Sequence, residues 1–117
     1  MKTFLYLSSC STCKRIMKEL ELSSDVELQD IKSEIITEKQ LDTLHQYAGS
    51  YEALFNKRAQ KFKLEGLNQK DLSENDFKSL ILKEYTFLKR PALITDKTAI
   101  AGNSAKVVEA MKSALNE

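Results

Sequence analysis

Cys10 and Cys13 stand at the junction of two different hydrophobic patterns, and that junction constrains the fold more than any other stretch of the chain. Before them, Phe4-Leu5-Tyr6-Leu7 is a short continuous apolar run, as expected of a strand covered on both faces, here over Thr3 to Leu7. Ser8-Ser9 breaks it. After them, Ile16, Met17 and Leu20 recur at helical spacing, so a helix is expected to begin at or just after Cys10. A strand, a CxxC and a helix in that order put the first cysteine at a helix N-terminus. Free N–H groups and a partial positive charge there favour the thiolate, which is the nucleophile. Lys14 and Arg15 would add to that field if their side chains turned back. Lowering a cysteine pKa from about 8.5 to about 6.5 raises the thiolate fraction near neutral pH from roughly 3% to roughly 75%. Cys13 lies one helical turn on, within reach of a mixed disulfide or sulfenic acid formed on Cys10. Cys10 is therefore read as the nucleophile and Cys13 as the resolving thiol.

Scarcity elsewhere removes competing chemistries. The chain has 117 residues, room for one domain over 1–117 and not for separate cofactor and substrate domains. One histidine, His45, excludes sites that need two imidazoles, and a place beside the helical stripe of Leu41 and Leu44 gives it no catalytic assignment. Three glycines leave no phosphate-cradling loop. The two cysteines also read as half of a zinc site, for which only His45 and carboxylates remain, or as packed core thiols. No metal and no bound cofactor are expected. With 18 Lys+Arg against 17 Asp+Glu, the net charge of +1 argues against direct nucleic-acid binding. No apolar run is long enough for a signal-peptide core or a membrane span, so a cytoplasmic location with reduced thiols is expected.

Further along, Val26 and Leu28 alternate with Glu27 and Gln29 as a second strand. Thr37 with Gln40, and Ser73 with Asp76, are spaced as capping boxes, with Ile36–Leu41 and Leu72–Phe77 as their hydrophobic staples. Leu41, Leu44 and Ala48 form one predicted buried stripe, and Phe77, Leu80 and Ile81 another. Ala92 to Ile94 and Ala99 to Ala101 flank Asp96-Lys97 as a hairpin. Asn103 or Ser104 can cap a last helix that buries Val107, Val108, Met111 and Leu115. The opening βαβ unit predicts a parallel pair, and the late hairpin adds antiparallel strands. The order is that of an α/β, thioredoxin-like (glutaredoxin-like) fold with a mixed sheet and a helical insertion from about 35 to 88.

Cations cluster at Lys57, Arg58, Lys61 and Lys63, with no acid between 57 and 63, and again at Lys89-Arg90 before the single proline, Pro91. Such a cluster is most often a solvated face. Pro91 restrains the backbone beside Arg90, where a cis bond would be a deliberate turn feature.

Cys10-Ser-Thr-Cys13 after a strand, Asn56-Lys-Arg58 followed by Lys61-Phe62-Lys63, Leu88-Lys-Arg90-Pro91 before a strand, and the Gly102-Asn103 turn form an ordered set. Together they resemble the ArsC/Spx family: glutaredoxin-linked arsenate reductases, Spx transcription regulators and related reductase-like proteins. The resemblance runs essentially end to end. It implies Cys10 at the catalytic position, Arg90 beside it, and a cis Arg90–Pro91 bond facing the Cys10 end of the first helix. Arg58, Arg90 and Pro91 are the implied substrate or anion site. The arsenate reductases it resembles follow their cysteine with Gly-Thr-Ser and offer three arginines to the oxyanion. Here Ser-Thr-Cys follows, Arg90 alone matches that set clearly, Asn56 replaces the insertion arginine, and the third falls near Gly102. Each missing bidentate contact forfeits roughly 1.5–3 kcal/mol.

Three readings follow from the resemblance. The first is a cytosolic thiol-disulfide oxidoreductase, with glutathione as co-substrate or a glutaredoxin-type donor. The second is a glutathione/glutaredoxin-dependent arsenate reductase. The third is a Spx-like redox regulator that binds the C-terminal domain of the alpha subunit of RNA polymerase. The family makes that contact through an insertion glycine, and Gly49 lies near the corresponding place.

Overall fold

The first strand buries consecutive residues on opposite sides, and the layers follow from that. A computed structural model describes residues 2–117; Met1, the first residue of the expected 1–117 unit, lies outside the described residues. Strand β1 (Lys2–Tyr6) sends Phe4 to one face and Leu5 to the other, both fully buried. Helix α1 (Ser11–Leu20) follows, then β2 (Val26–Asp30), which pairs parallel to β1 in the register Phe4 opposite Leu28. The chain then runs through α2 (Glu38–Ala48), α3 (Gln60–Leu64) and α4 (Glu74–Lys83), with 3₁₀ turns at Glu52–Leu54, Leu67–Gln69 and Tyr85–Phe87. It returns as β3 (Ala92–Ile94), antiparallel to β1, and β4 (Ala99–Ala101), antiparallel to β3, and ends in α5 (Ala105–Leu115). The sheet order is β2-β1-β3-β4. This is the α/β thioredoxin-like arrangement that the element order predicts.

On one face Phe4, Val26 and Leu93 meet Ile16 and Leu20 of α1 and Val108 and Met111 of α5. On the other, Leu5, Ala92 and Ala99 meet Leu41 and Leu44 of α2, Phe77 and Ile81 of α4, and Phe55. The segment between β2 and β3 is therefore a layer of its own, and β1 and β3 are sandwiched, which is why their residues are apolar on both sides. An isolated bridge between Phe55 and Leu88 ties the middle of that layer to its C-terminal end.

Both capping boxes are present, with each side chain and backbone N–H exchanging hydrogen bonds as the spacing predicts. Ser104, rather than Asn103, caps α5, accepting from the Val107 N–H. Thr95 and Thr98 close the hairpin around Asp96-Lys97 through a 2.8 Å N–H to C=O bond.

Two packing expectations are corrected. Leu28 is 50% exposed, while Gln29 is buried. β2 is an edge strand, and Gln29 faces the insertion, where its side-chain amide donates to Glu34 C=O at 3.0 Å and pairs reciprocally with Gln40 at 2.7 and 3.1 Å. Ala48 is exposed because α2 ends there, at a left-handed Gly49. Among the described residues, no helix is long and apolar enough to cross a membrane.

Candidate active site

Cys10 is the N-cap of α1, in extended conformation (φ −93°, ψ 112°). Its N–H donates to Leu7 C=O at 2.9 Å, and its C=O accepts from Lys14 N–H at 3.2 Å. The loop Ser8-Ser9 is thus a tight turn that delivers the β1 chain directly into the helix. Burial opposes its ionisation, but the Cys13 backbone N–H, the Cys13 thiol, and the donor groups and charge of Arg90 outweigh burial and hold Cys10 below the ordinary cysteine pKa of 9.0. Cys13 goes the other way. Fully buried behind Cys10, its thiol is pushed up to about 11 by burial first and then by the neighbouring Cys10 sulfur, against the Leu7 backbone N–H and Arg90. The surroundings thus favour the thiolate at Cys10 and the thiol at Cys13. Both cysteines are free.

Arg90 reaches this helix end from the chain just before β3. The Arg90–Pro91 bond is cis. Pro91 C=O accepts from Gly102 N–H at 2.9 Å, and Arg90 C=O accepts from the Asn103 side-chain amide at 3.4 Å, so the turn after β4 fixes the backbone on which the guanidinium rides. Nη1 of Arg90 donates to Thr86 C=O at 3.2 Å. Among the described residues its Nε is buried and has no hydrogen-bond partner. Lys14 and Arg15 are exposed, and the cation that acts on Cys10 is Arg90.

Cys10 opens onto a groove of about 960 Å³, a volume suited to a small organic molecule or a short peptide. Thr12 and Cys10 form one wall, Gly102, Asn103 and Ser104 the start of α5, and Asn56, Lys57, Arg58, Lys61 and Lys89 the insertion side. Two of these cations are already paired, Lys57 with Glu52 at 2.5 Å and Lys61 with Glu84 at 2.7 Å. Arg58 and Arg90 supply the guanidinium groups of the lining, and in place of a third the groove has Gly102.

The structure therefore brings together Cys10, Cys13, Arg90 and Arg58, with Cys13 behind the surface and the others around the groove. Pro91 is not among the lining residues; it is buried and shapes the backbone beneath. His45 stacks on Tyr51 with ring centroids 4.0 Å apart and takes no part. Sequence reasoning passes over Thr86, whose carbonyl holds Arg90, and Glu84, which holds Thr86. Both lie at a 3₁₀ turn, where no periodicity marks a residue. The one signal is an acid, Glu84, just ahead of Lys89-Arg90.

A family model described as ArsC family matches residues 5–111. None of the curated proteins matches. Among solved structures, an ArsC family related protein from Bacteroides fragilis superposes with a TM-score of 0.80 at 23% identity, over 94% of this chain and 96% of its own. An arsenate reductase from Vibrio cholerae gives 0.76 at 17% identity, over 92% and 95%. An arsenate reductase (ArsC) related protein from Brucella melitensis gives 0.68 at 25% identity, over 93% and 92%.

Proposed function

This chain belongs to the ArsC family, and from that premise we propose that it is a thiol-disulfide oxidoreductase with Cys10 as nucleophile, Arg90 as the stabiliser of its thiolate and Cys13 as the resolving thiol. The observation that carries the reading is the Cys10 sulfur at the N-terminus of α1, held below its ordinary pKa between Cys13 and Arg90 at the mouth of a groove.

The reaction needs two exchanges. The Cys10 thiolate attacks one sulfur of a substrate disulfide, forms a mixed disulfide and releases the other half as a thiolate. Cys13 then attacks the Cys10 sulfur, its proton passing to the departing second thiolate, and the protein is left with a Cys10–Cys13 disulfide. The substrate has gained two electrons. Two equivalents of a small thiol such as glutathione, or a glutaredoxin-type dithiol, return the pair to the reduced state. The raised pKa of Cys13 suits its delayed entry. While Cys10 is anionic, its charge helps keep the Cys13 proton in place, and that restraint disappears once Cys10 is capped as a mixed disulfide.

Arsenate reduction fits the groove less well, because Arg58 and Arg90 are the guanidinium groups of its lining and Lys57 and Lys61 are committed to carboxylates. A Spx-like regulatory role finds no specific support at Gly49, which caps α2 and does not line the Cys10 groove.

Reduced protein should reduce a small-molecule disulfide with glutathione as donor, and Cys10→Ser should abolish turnover. A Cys10 that alkylates near neutral pH no faster than free cysteine removes the basis of the proposal.

A further inference from the structure

The two oxygens of Glu84 bond two different segments of the insertion. Oε1 accepts from Lys61 Nζ of α3 at 2.7 Å, and Oε2 accepts from the Thr86 N–H at 3.2 Å and the Thr86 hydroxyl at 2.9 Å. Its side chain is only 18% exposed, so the bonds to Thr86 are partly sheltered from water, while Lys61 holds it from the solvent side. Thr86 is thereby held by both its donors within the 3₁₀ turn Tyr85–Phe87, and its carbonyl is left for others. Two side chains take it: Arg90 Nη1 at 3.2 Å and Asn56 Nδ2 at 3.3 Å. Asn56 is itself anchored, its N–H donating to Phe87 C=O at 2.7 Å and its Oδ1 accepting from Arg58 N–H at 3.1 Å. Arg90 therefore hangs from a carbonyl whose position is set two residues earlier by a carboxylate, and its remaining donors are left for Cys10 and the groove.

We infer that Glu84, held by Lys61, is a positioning residue for the Cys10 site: it locks the Thr86 turn so that the Thr86 carbonyl presents the Arg90 guanidinium to the Cys10 sulfur. This rests on the reading of Cys10 as a nucleophilic thiolate stabilised by Arg90. It assigns a task to the helical insertion, which reaches the reacting sulfur without touching it. The charge pattern agrees. A carboxylate paired directly with Arg90 would cancel the charge that Cys10 needs, whereas a carboxylate spent on Lys61 and Thr86 fixes Arg90 through a neutral carbonyl and leaves that charge whole.

The test is the pH profile of Cys10 alkylation in the reduced full-length chain, for wild type, Glu84→Ala, Arg90→Ala and the double variant. We expect Glu84→Ala to move the profile to higher pH and to slow alkylation near neutral pH by about threefold to tenfold, and the double variant to match Arg90→Ala alone. Lys61→Met, altered at an exposed end of the chain of bonds, should shift the profile in the same direction by less, and it carries the same comparison should Glu84→Ala fail to fold. A Glu84→Ala profile that superposes on wild type while Arg90→Ala shifts overturns the positioning role and leaves the thiolate reading intact. Shifts that add in the double variant also overturn it, because Glu84 would then act by another route. An Arg90→Ala profile identical to wild type removes both readings.

Discussion

Cys10 and Cys13 share one helical turn, yet their environments drive their protons in opposite directions. Cys10 sits at the groove, where donors and the Arg90 charge overcome its burial; Cys13 sits in the core behind it, where burial dominates. The split gives the pair a division of labour that neither residue type carries by itself. It predicts that Cys13→Ala accumulates a mixed disulfide on Cys10 after exposure to a small-molecule disulfide, while wild type proceeds to the internal disulfide. Intact-mass measurement distinguishes the two. Equal accumulation in both proteins would show that Cys13 does not resolve. At this scale the CxxC is legible from its position between a strand and a helix. The counter-charge is not derivable from the same stretch. Lys14 and Arg15, the adjacent cations, are exposed, and the acting cation, Arg90, comes from the far end of the sequence.

At the scale of the element, local chemistry is legible wherever a side chain bonds its own helix. Thr37 and Gln40 exchange bonds of 3.0 Å with each other's backbone, and Ser73 with Asp76 does the same at 2.9 and 3.2 Å. Such bonds depend on spacing alone, so spacing reveals them. Gln40 does more than its spacing tells, since its amide also pairs with the buried Gln29 of β2. Thr37→Ala should therefore cost about 1 kcal/mol of stability, the usual loss for a cap. Gln40→Ala should cost more, about 1–3 kcal/mol, because it also leaves the Gln29 Oε1 buried without its donor, while the Gln29 amide N–H keeps Glu34 C=O. Urea denaturation of the two variants checks the order, and a Gln40→Ala loss no greater than that of Thr37→Ala would contradict it. The strand β2 departs from its sequence pattern for the complementary reason. Alternation places Val26 and Leu28 on one face but does not tell how far along that face the cover extends: Val26 is buried, Leu28 is exposed, and Gln29 is buried on the opposite face.

Over the whole molecule, the insertion is held to itself by two devices. Phe55 stacks on Phe87 and meets Phe62 and Phe77 edge-on, with centroids 4.9 to 5.4 Å apart, in the apolar layer beneath the groove. On the outside, Lys78 of α4 bridges Glu38 and Asp42 of α2 at 2.9 and 3.1 Å, and Asp42 accepts from the Tyr51 hydroxyl at 2.6 Å. The Tyr51 hydroxyl, and then Lys78, hold the Asp42 pKa below its ordinary 3.8. The folded chain thus binds fewer protons at this site than the unfolded one. The contribution is full above pH 3.8 and is lost as the pH falls through the lower folded value. Between about pH 5 and pH 2, Tm should fall less steeply in Asp42→Asn than in wild type; parallel curves would show that this exposed network adds nothing to stability.

The sequence by itself determined the order of elements, the caps, the hairpin and the seat of the thiol pair, because each depends on residues within one or two turns of each other. Only the tertiary structure decided what surrounds that pair. Arg90 is brought to Cys10 by a turn whose backbone is tied to Gly102 and Asn103, and is aimed by Thr86 and Glu84. Those bonds join β3, β4 and the insertion, and no spacing rule connects segments that meet only when the sheet closes. A near-zero net charge hid them for the same reason: charge balance is a property of composition, whereas the field at a sulfur depends on which charges the fold sets beside it.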